Sequence, residues 1–422
     1  MPGRRPVSLA LALLVAPALL AILAACARPP APRAFPDLPL AGRAWQAALA
    51  RYAAAPVVGG NRVDVLVDGH EIFTAMLAAV RTARRTITYE QFAYKKGAVG
   101  RLLAETLAER CRAGVAVHVL IDAWGARWTP DHYIALMREA GCQVVDDFRP
   151  LRLSGLARAN FRTHRRVLVV DGRIGFTGGS GVEPRWLGDL PDHERWRETD
   201  VRLEGPVVHQ LQGAFAEHWL EATGVLLGGD AYYPPPEEVG AVAAHVIRSS
   251  PVSGNFALST ALLFAIESAR RSIYITNQYL VLDERMEDAL GRAVARGVDV
   301  AVIVPGRATN LLVFAAGRAG FGRLLDRGVE IYAYQRGLLH AKTAVIDGRW
   351  ATVGSTNLDP RSLAVNDELN VVTYDAAVAQ RLEDLFAQDL AASRRVTREA
   401  WEGRPMKLRL LEWLVAPLRG QL

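Results

Sequence analysis

Two distant stretches of the chain share one pattern of apolar and polar positions. Residues 71–92, EIFTAMLAAVRTARRTITYEQF, set apolar side chains at three- and four-residue spacing, then change to a run of β-branched and aromatic residues that ends at Glu90 and Gln91. The change of period predicts a helix running into a strand. Residues 258–279, LSTALLFAIESARRSIYITNQY, repeat it, including the Ala-Arg-Arg at the junction. Next come RCRAGVAVHVLID (110–122) and VARGVDVAVIVPG (294–306), then REAGCQVVDD (138–147) and LDRGVEIYAY (325–334). In each, a glycine stops a helix and a strand follows. Each series closes on a strand, an Asp-Gly turn and a returning strand: FRTHRRVLVVDGRIGFTGG (161–179) and LLHAKTAVIDGRWATVGS (338–355). The matching order over about 110 residues, with helices between strands, predicts two copies of one α/β unit. Their spans are 59–227 and 242–400, with the Gly- and Pro-rich 228–241 as linker.

Length and composition agree with a folded protein of more than one domain: 422 residues, 50% hydrophobic and 22% charged. A net charge of +6 favours anionic partners without choosing among phosphates, lipid head groups and nucleic acid. Only four of the fifty basic residues are lysine, so Lys342 departs from the chain's habit of writing arginine.

At the N-terminus, Arg4 and Arg5 precede an apolar run from Val7 to Ala25, followed by Cys26 and a Pro-rich stretch. This reads as a bacterial lipoprotein signal over 1–26, with Cys26 lipidated, or as an uncleaved anchor. Both place the folded body in the cell envelope, beside a membrane and outside the cytoplasm. Residues 27–58 read as a tether and a leading helix. Cys111 and Cys142 show no metal-ligand spacing, and we expect small buried thiols rather than a disulfide. No metal or cofactor is called for. At the other end, 401–422 interleaves Trp401, Leu411, Trp413 and Leu414 with Lys407, Arg409 and Arg419, which suits an interfacial amphipathic helix or a last helix packed on the body.

The repeated closing piece carries the chemistry. In a strand alternate side chains share a face, so His164 points with Arg166 and His340 with Lys342. The returning strand leads to Gly178-Gly179-Ser180 in one copy and to Gly354-Ser355-Thr356-Asn357 in the other, corners that offer backbone N–H groups and hydroxyls to an anion. The remaining histidines (70, 118, 132, 193, 209, 218 and 245) share no local pattern and read as structural. So do Trp186, Trp196 and Trp219, as core or groove wall.

His340-x-Lys342-x4-Asp347 with Gly354-Ser355-x-Asn357 resembles the HKD motif of the phospholipase D superfamily, and His164-x-Arg166-x4-Asp171 with Gly178-Gly179 resembles a first copy with Arg for Lys. The resemblance spans most of 60–400, and stretches such as ARRTITYEQF, DGRIGFTGG and NDELNVVTYD are most similar to bacterial cardiolipin synthases. It implies two α/β/α domains, each a mixed sheet flanked by helices, packed about a pseudo-twofold axis. It also implies a two-motif active site in a monomer, acting on phospholipid at a bilayer surface, with no nucleic-acid partner. His164 would be the nucleophile and His340 the acid and base. Arg166 and Lys342 would hold phosphate oxygens, and Asp171 and Asp347 would orient the imidazoles. Gly179, Ser355 and Asn357 would line the phosphate site, and Glu198 and Glu368 would partner the histidines. Transfer of a phosphatidyl group between phosphatidylglycerol molecules is the expected reaction. Hydrolysis by a phospholipase D, an exported nuclease and a silent lipid-binding relative are the alternatives.

Overall fold

A computed structural model of the chain describes residues 32, 34–150, 160–187, 190–191 and 194–416. The apolar leader with Cys26, His193, and the tail beyond 416 lie outside the described residues. Among the described residues no helix is long and apolar enough to cross a membrane.

The first half contributes β1 (Val58–Val67), β2 (Thr86–Gln91), β3 (Ala116–Asp122), β4 (Gln143–Phe148), β5 (Val167–Val170), β6 (Ile174–Gly178), β7 (Trp196–Arg197) and β8 (Thr199–Glu204). The second contributes β9 (Val242–Ser249), β10 (Ser272–Asn277), β11 (Asp299–Pro305), β12 (Glu330–Tyr334), β13 (Leu338–Leu339), β14 (Lys342–Ile346), β15 (Trp350–Gly354), β16 (Glu368–Thr373) and β17 (Ser393–Arg395). From its outer edge inward the first half runs β4-β3-β2-β5-β6-β8-β1, and the second runs β12-β11-β10-β14-β15-β16-β9, with β17 added outside β12. The two orders are the same, so the duplication read from the hydrophobic pattern is a duplication of topology. In each half the three outer strands are parallel and joined by helices, while the inner strands are antiparallel. The halves meet where β1 pairs antiparallel with β9, which makes one continuous sheet about a pseudo-twofold axis.

Burial follows the helical period. In the Asp68–Thr82 helix, Ile72, Phe73, Met76, Leu77 and Val80 face the sheet of the first half. The second half has its own core, which the leading helix Arg43–Tyr52 joins: Trp45 stacks on Phe264 at 4.7 Å and donates its indole N–H to Ser268. That helix therefore precedes one half in sequence and packs on the other. A third core is shared. The Val208–Thr223 helix of the first half and the Ala376–Ala391 helix of the second bury Leu211, Phe215, Trp219, Leu382 and Leu385 with strand residues of both halves.

Cys111 and Cys142 form a disulfide, contrary to the expectation of free thiols. The helix–glycine–strand repeat brings the end of the Ala98–Arg112 helix beside the start of β4, and the two Cα atoms stand 5.5 Å apart, within bridging distance.

Candidate active site

Each half holds the histidine segment of the other. His164 precedes β5, and its N–H donates to the carbonyl of Asp367, just ahead of β16 in the second half (2.8 Å). Reciprocally, β13 pairs parallel with β7, and the N–H of His340 donates to the carbonyl of Arg197 in the first half (2.9 Å). The side chains cross in the same way. His164 Nδ1 lies 2.8 Å from Glu368 Oε1, and His340 Nδ1 lies 2.5 Å from Glu198 Oε2. Each glutamate comes from the half opposite its histidine and is fully buried.

The basic partners sit two residues on, on the same strand face. Arg166 donates through Nη1 to the His164 carbonyl (2.6 Å) and through Nη2 to His164 Nε2 (3.0 Å). Lys342 Nζ takes the matching place, donating to the His340 carbonyl and standing 3.0 Å from His340 Nδ1. It also reaches Gln278 Oε1 at 3.5 Å. Aromatic rings enclose both imidazoles. Phe92 meets His164 edge-on at 5.2 Å, and Trp186 and Trp196, stacked on each other, meet His340 at 5.0 and 4.6 Å.

The corners after β6 and β15 are alike in outline and different in detail. Ser355 Oγ–H donates to Glu368 and accepts the Leu369 N–H. Gly179 stands at the matching position, where a Cβ would come within 2.6 Å of Glu198 Oε1. The vacancy lets Glu198 approach, and the Trp186 indole N–H, donating to Oε2 at 3.1 Å, replaces the missing hydroxyl. Asn357 is buried with its Oδ1 unpartnered among the described residues.

Electrostatics keep both imidazoles neutral. Burial lowers His164 to about 4, with the Arg166 guanidinium acting in the same direction and the charge and hydrogen bond of Glu368 opposing it. Burial and the Lys342 ammonium take His340 to about 3. Glu198 falls to about 2, because the His340 imidazole and Lys342 outweigh its desolvation. Lys342 is lowered to about 8, by burial first, against the pull of Glu198. The groups of one motif act on those of the other: Lys342 on His164, and Arg166 on His340. The two motifs thus form one electrostatic unit around a common space. Among the described residues no three His, Cys, Asp or Glu side chains are placed to hold a metal ion.

A family model described as "Cardiolipin synthase, PLD-like domain" matches residues 262–390. Cardiolipin synthase A of Pseudomonas aeruginosa is 37% identical over 352 residues, which cover 83% of this chain and 71% of the relative. The major cardiolipin synthase of Bacillus subtilis strain 168 is 34% identical over 358 residues, covering 83% and 73%. The chain belongs to the cardiolipin synthase family. It is an enzyme of the phospholipase D superfamily. In fold it is similar to the phosphatidylserine synthase of Haemophilus influenzae Rd KW20, at a TM-score of 0.66 and 12% identity over 90% of this chain and 100% of that one.

Within that family frame, two expected residues do different work. Asp171 and Asp347 do not touch the imidazoles. Each occupies a tight turn at positive φ, +53° and +55°, and the strand between places it roughly 20 Å from its histidine at about 3.3 Å per residue. Asp171 accepts the backbone N–H groups of Arg84, Arg85 and Thr86 at 2.8–2.9 Å, and Asp347 accepts those of Arg270, Arg271 and Ser272. They bind the chain where it leaves the Ala-Arg-Arg junction, and the glutamates do the reaching across.

Three other groups that the two motifs do not name complete the site. Asp200 accepts the N–H groups of Gly179 and Ser180 and the Ser180 hydroxyl, and burial beside Glu198 raises it to about 7. His218, among the histidines with no local pattern, bridges Glu90 (2.7 Å) and Asp367 (3.0 Å) behind His164. Although buried, it is raised above its ordinary value by those carboxylates and holds the loop that carries His164. Trp186 and Trp196 are groove wall of a specific kind, packed on His340. Their shared Arg-Trp-x8-Arg-Trp spacing, directly ahead of Glu198, is the signal the sequence carries for them.

Proposed function

We propose that this chain transfers a phosphatidyl group between two phosphatidylglycerol molecules, giving cardiolipin and glycerol through a phosphohistidine intermediate. The observation that carries the reading is the crossed pairing of two neutral imidazoles with glutamates of opposite halves, each beside a buried cation. Glu368 accepts the Nδ1 proton of His164 and so leaves the Nε2 lone pair for attack on phosphorus. In the free site Arg166 covers that lone pair, and an incoming phosphate draws the guanidinium onto its own oxygens. The P–N bond forms as the P–O bond to the glycerol head group breaks. His340, protonated from solvent as the anionic phosphate enters beside it, gives that proton from Nε2 to the departing alkoxide, its imidazolium stabilised by Glu198 and by the phosphate. The terminal hydroxyl of a second phosphatidylglycerol then gives its proton to His340 and attacks the phosphorus, and His164 leaves. Arg166 and Lys342 neutralise the non-bridging oxygens through both displacements, with Ser355, Asn357 and the Gly179 corner supporting the site.

We read the acting unit as one chain at a bilayer surface, with the body outside the cytoplasm. Incubating the full chain with phosphatidylglycerol vesicles and resolving the lipids tests the reaction. Cardiolipin is expected, together with an acid-labile phosphoryl adduct on His164 after rapid quench. Phosphatidic acid alone assigns hydrolysis, and no turnover of any phosphodiester overturns the enzyme reading.

A further inference from the structure

The pseudo-twofold axis passes through the site, and such an axis carries equivalent segments to the same height along itself. The segment after β3 (123–128) and the segment after β11 (306–312) are equivalents, so both stand at the rim, one on each side. Both lie one contact from the catalytic groups. In the first half, Asp122 accepts the Trp124 N–H at 2.8 Å and the Thr163 N–H at 3.1 Å, next to His164. In the second, Thr309 bonds Gln278, which reaches Lys342.

Both rims expose large apolar side chains. Trp124 and Trp128 are 41% and 48% exposed, and Leu311 and Leu312 are 55% and 46% exposed. The Met406–Val415 helix packs on the Leu311–Arg318 helix with Leu411 and Val415 toward Val281 and Val313, pinned by Arg318 to Glu412 at 3.2 Å. Its outward face is not polar: Leu410, Trp413 and Leu414 are 55–70% exposed beside Lys407 and Arg409. On the first rim the cation is built into the aromatic surface. Arg127 lies 3.5 Å from the Trp124 ring centroid and 5.2 Å from that of Trp128, and Lys95 lies 5.4 Å over Trp128. Aromatic rings carrying cations, and a helix whose open face mixes Leu and Trp with Lys and Arg, match the acyl–head-group boundary of an anionic bilayer.

We propose that these two rims form one docking face, which seats the chain on an anionic phospholipid bilayer with the catalytic cleft opening onto the head-group plane. The inference rests on the phospholipid reading of the site. It commits to the bilayer as occupant, because the cations are interleaved with the apolar side chains as an anionic, half-apolar partner requires.

Brominated-acyl phosphatidylglycerol vesicles carrying the full chain test it by tryptophan quenching. The apolar leader contains no tryptophan, so its insertion is silent; of the nine tryptophans Trp124, Trp128 and Trp413 are exposed, Trp401 is half-buried under Arg404, and Trp45, Trp186, Trp196, Trp219 and Trp350 are buried. Quenching is expected in the wild type and should fall in Trp124→Tyr/Trp128→Tyr/Trp413→Tyr to no more than the residual that the half-buried Trp401 gives, read as the further loss in the same variant carrying Trp401→Phe. Trp413→Ser/Leu414→Ser should lose at least tenfold of its turnover on vesicles and keep turnover on monomeric short-chain phosphatidylglycerol. Vesicle-bound wild type with no quenching overturns the proposal, as does equal loss of turnover on both lipid presentations. A detergent-solubilised dimer that Trp413→Ser dissociates assigns the face to a second copy and also overturns it. Absence of product from either lipid form counts against the reaction and leaves the quenching result standing.

Discussion

At the scale of single residues, the site works by holding two imidazoles neutral where solvent would half-protonate them at mildly acidic pH. A buried histidine whose charged form is disfavoured keeps its lone pair to lower pH. With His164 lowered to about 4, the nucleophilic form in the free enzyme is lost as pH falls through about 4, not through the usual 6.5. Lys342, lowered to about 8, loses its charge as pH rises through that value, and phosphate neutralisation goes with it. We therefore expect the acid limb of kcat/KM, measured on monomeric short-chain substrate, to lie near pH 4, and the alkaline fall, to which loss of the His340 proton and then of the Lys342 charge both contribute, to be complete above pH 8; an acid limb centred at 6.5 contradicts the burial argument. Arg166 supplies the second residue prediction. It and Lys342 make the same two contacts, to the carbonyl and a ring nitrogen of the histidine two residues back. Arg166→Lys should keep turnover within about tenfold, whereas Arg166→Ala, which leaves the phosphate charge unmet, should lose on the order of 10²–10³-fold or more in kcat.

At the scale of elements, the two hairpins separate what binds substrate from what shapes the backbone. Their histidine ends meet at the cleft, and their Asp-Gly ends tie down the helix-to-strand junctions 84–86 and 270–272. Asp171→Asn keeps a side chain that tolerates positive φ and loses the charged acceptor of three N–H groups. It should destabilise the fold by about 1–3 kcal/mol in denaturant melts and leave the pH profile of kcat unmoved. A shifted acid limb would return the aspartate to an orienting role. These hairpins also show what the sequence could and could not give. The strands, the Asp-Gly turns and the His-x-Arg and His-x-Lys faces follow from a two-residue period and were legible. The destination of the aspartates was not, because a motif written on one strand says nothing of which backbone its far end meets. The disulfide escaped for a related reason: two cysteines 31 residues apart become neighbours only once the helix and β4 lie side by side. Glu198 and Glu368 could be suspected from position, whereas His218 and Asp200 acquire their partners only through tertiary packing.

At the scale of the whole molecule, duplication has become interdependence. Gly179 makes room for a glutamate that serves the other half's histidine, β7 pairs with β13 across the halves, and one core is built from helices of both. Neither half contains a complete histidine–glutamate pair. A chain that closes the site within itself cannot lend an imidazole to a neighbour without parting β1 from β9 and opening that shared core, whose burial is worth many kcal/mol at about 25 cal/mol per Å² of apolar surface. Mixing purified His164→Ala with His340→Ala should therefore give no turnover on phosphatidylglycerol above that of either variant alone. In a domain-swapped dimer, by contrast, one of the two composite sites would be intact, and activity would recover to roughly a quarter of wild type on random pairing of subunits. Measuring the mixture after co-refolding, where swapping is free to occur, makes the outcome decisive: recovered cardiolipin formation would show that the second imidazole arrives from another chain.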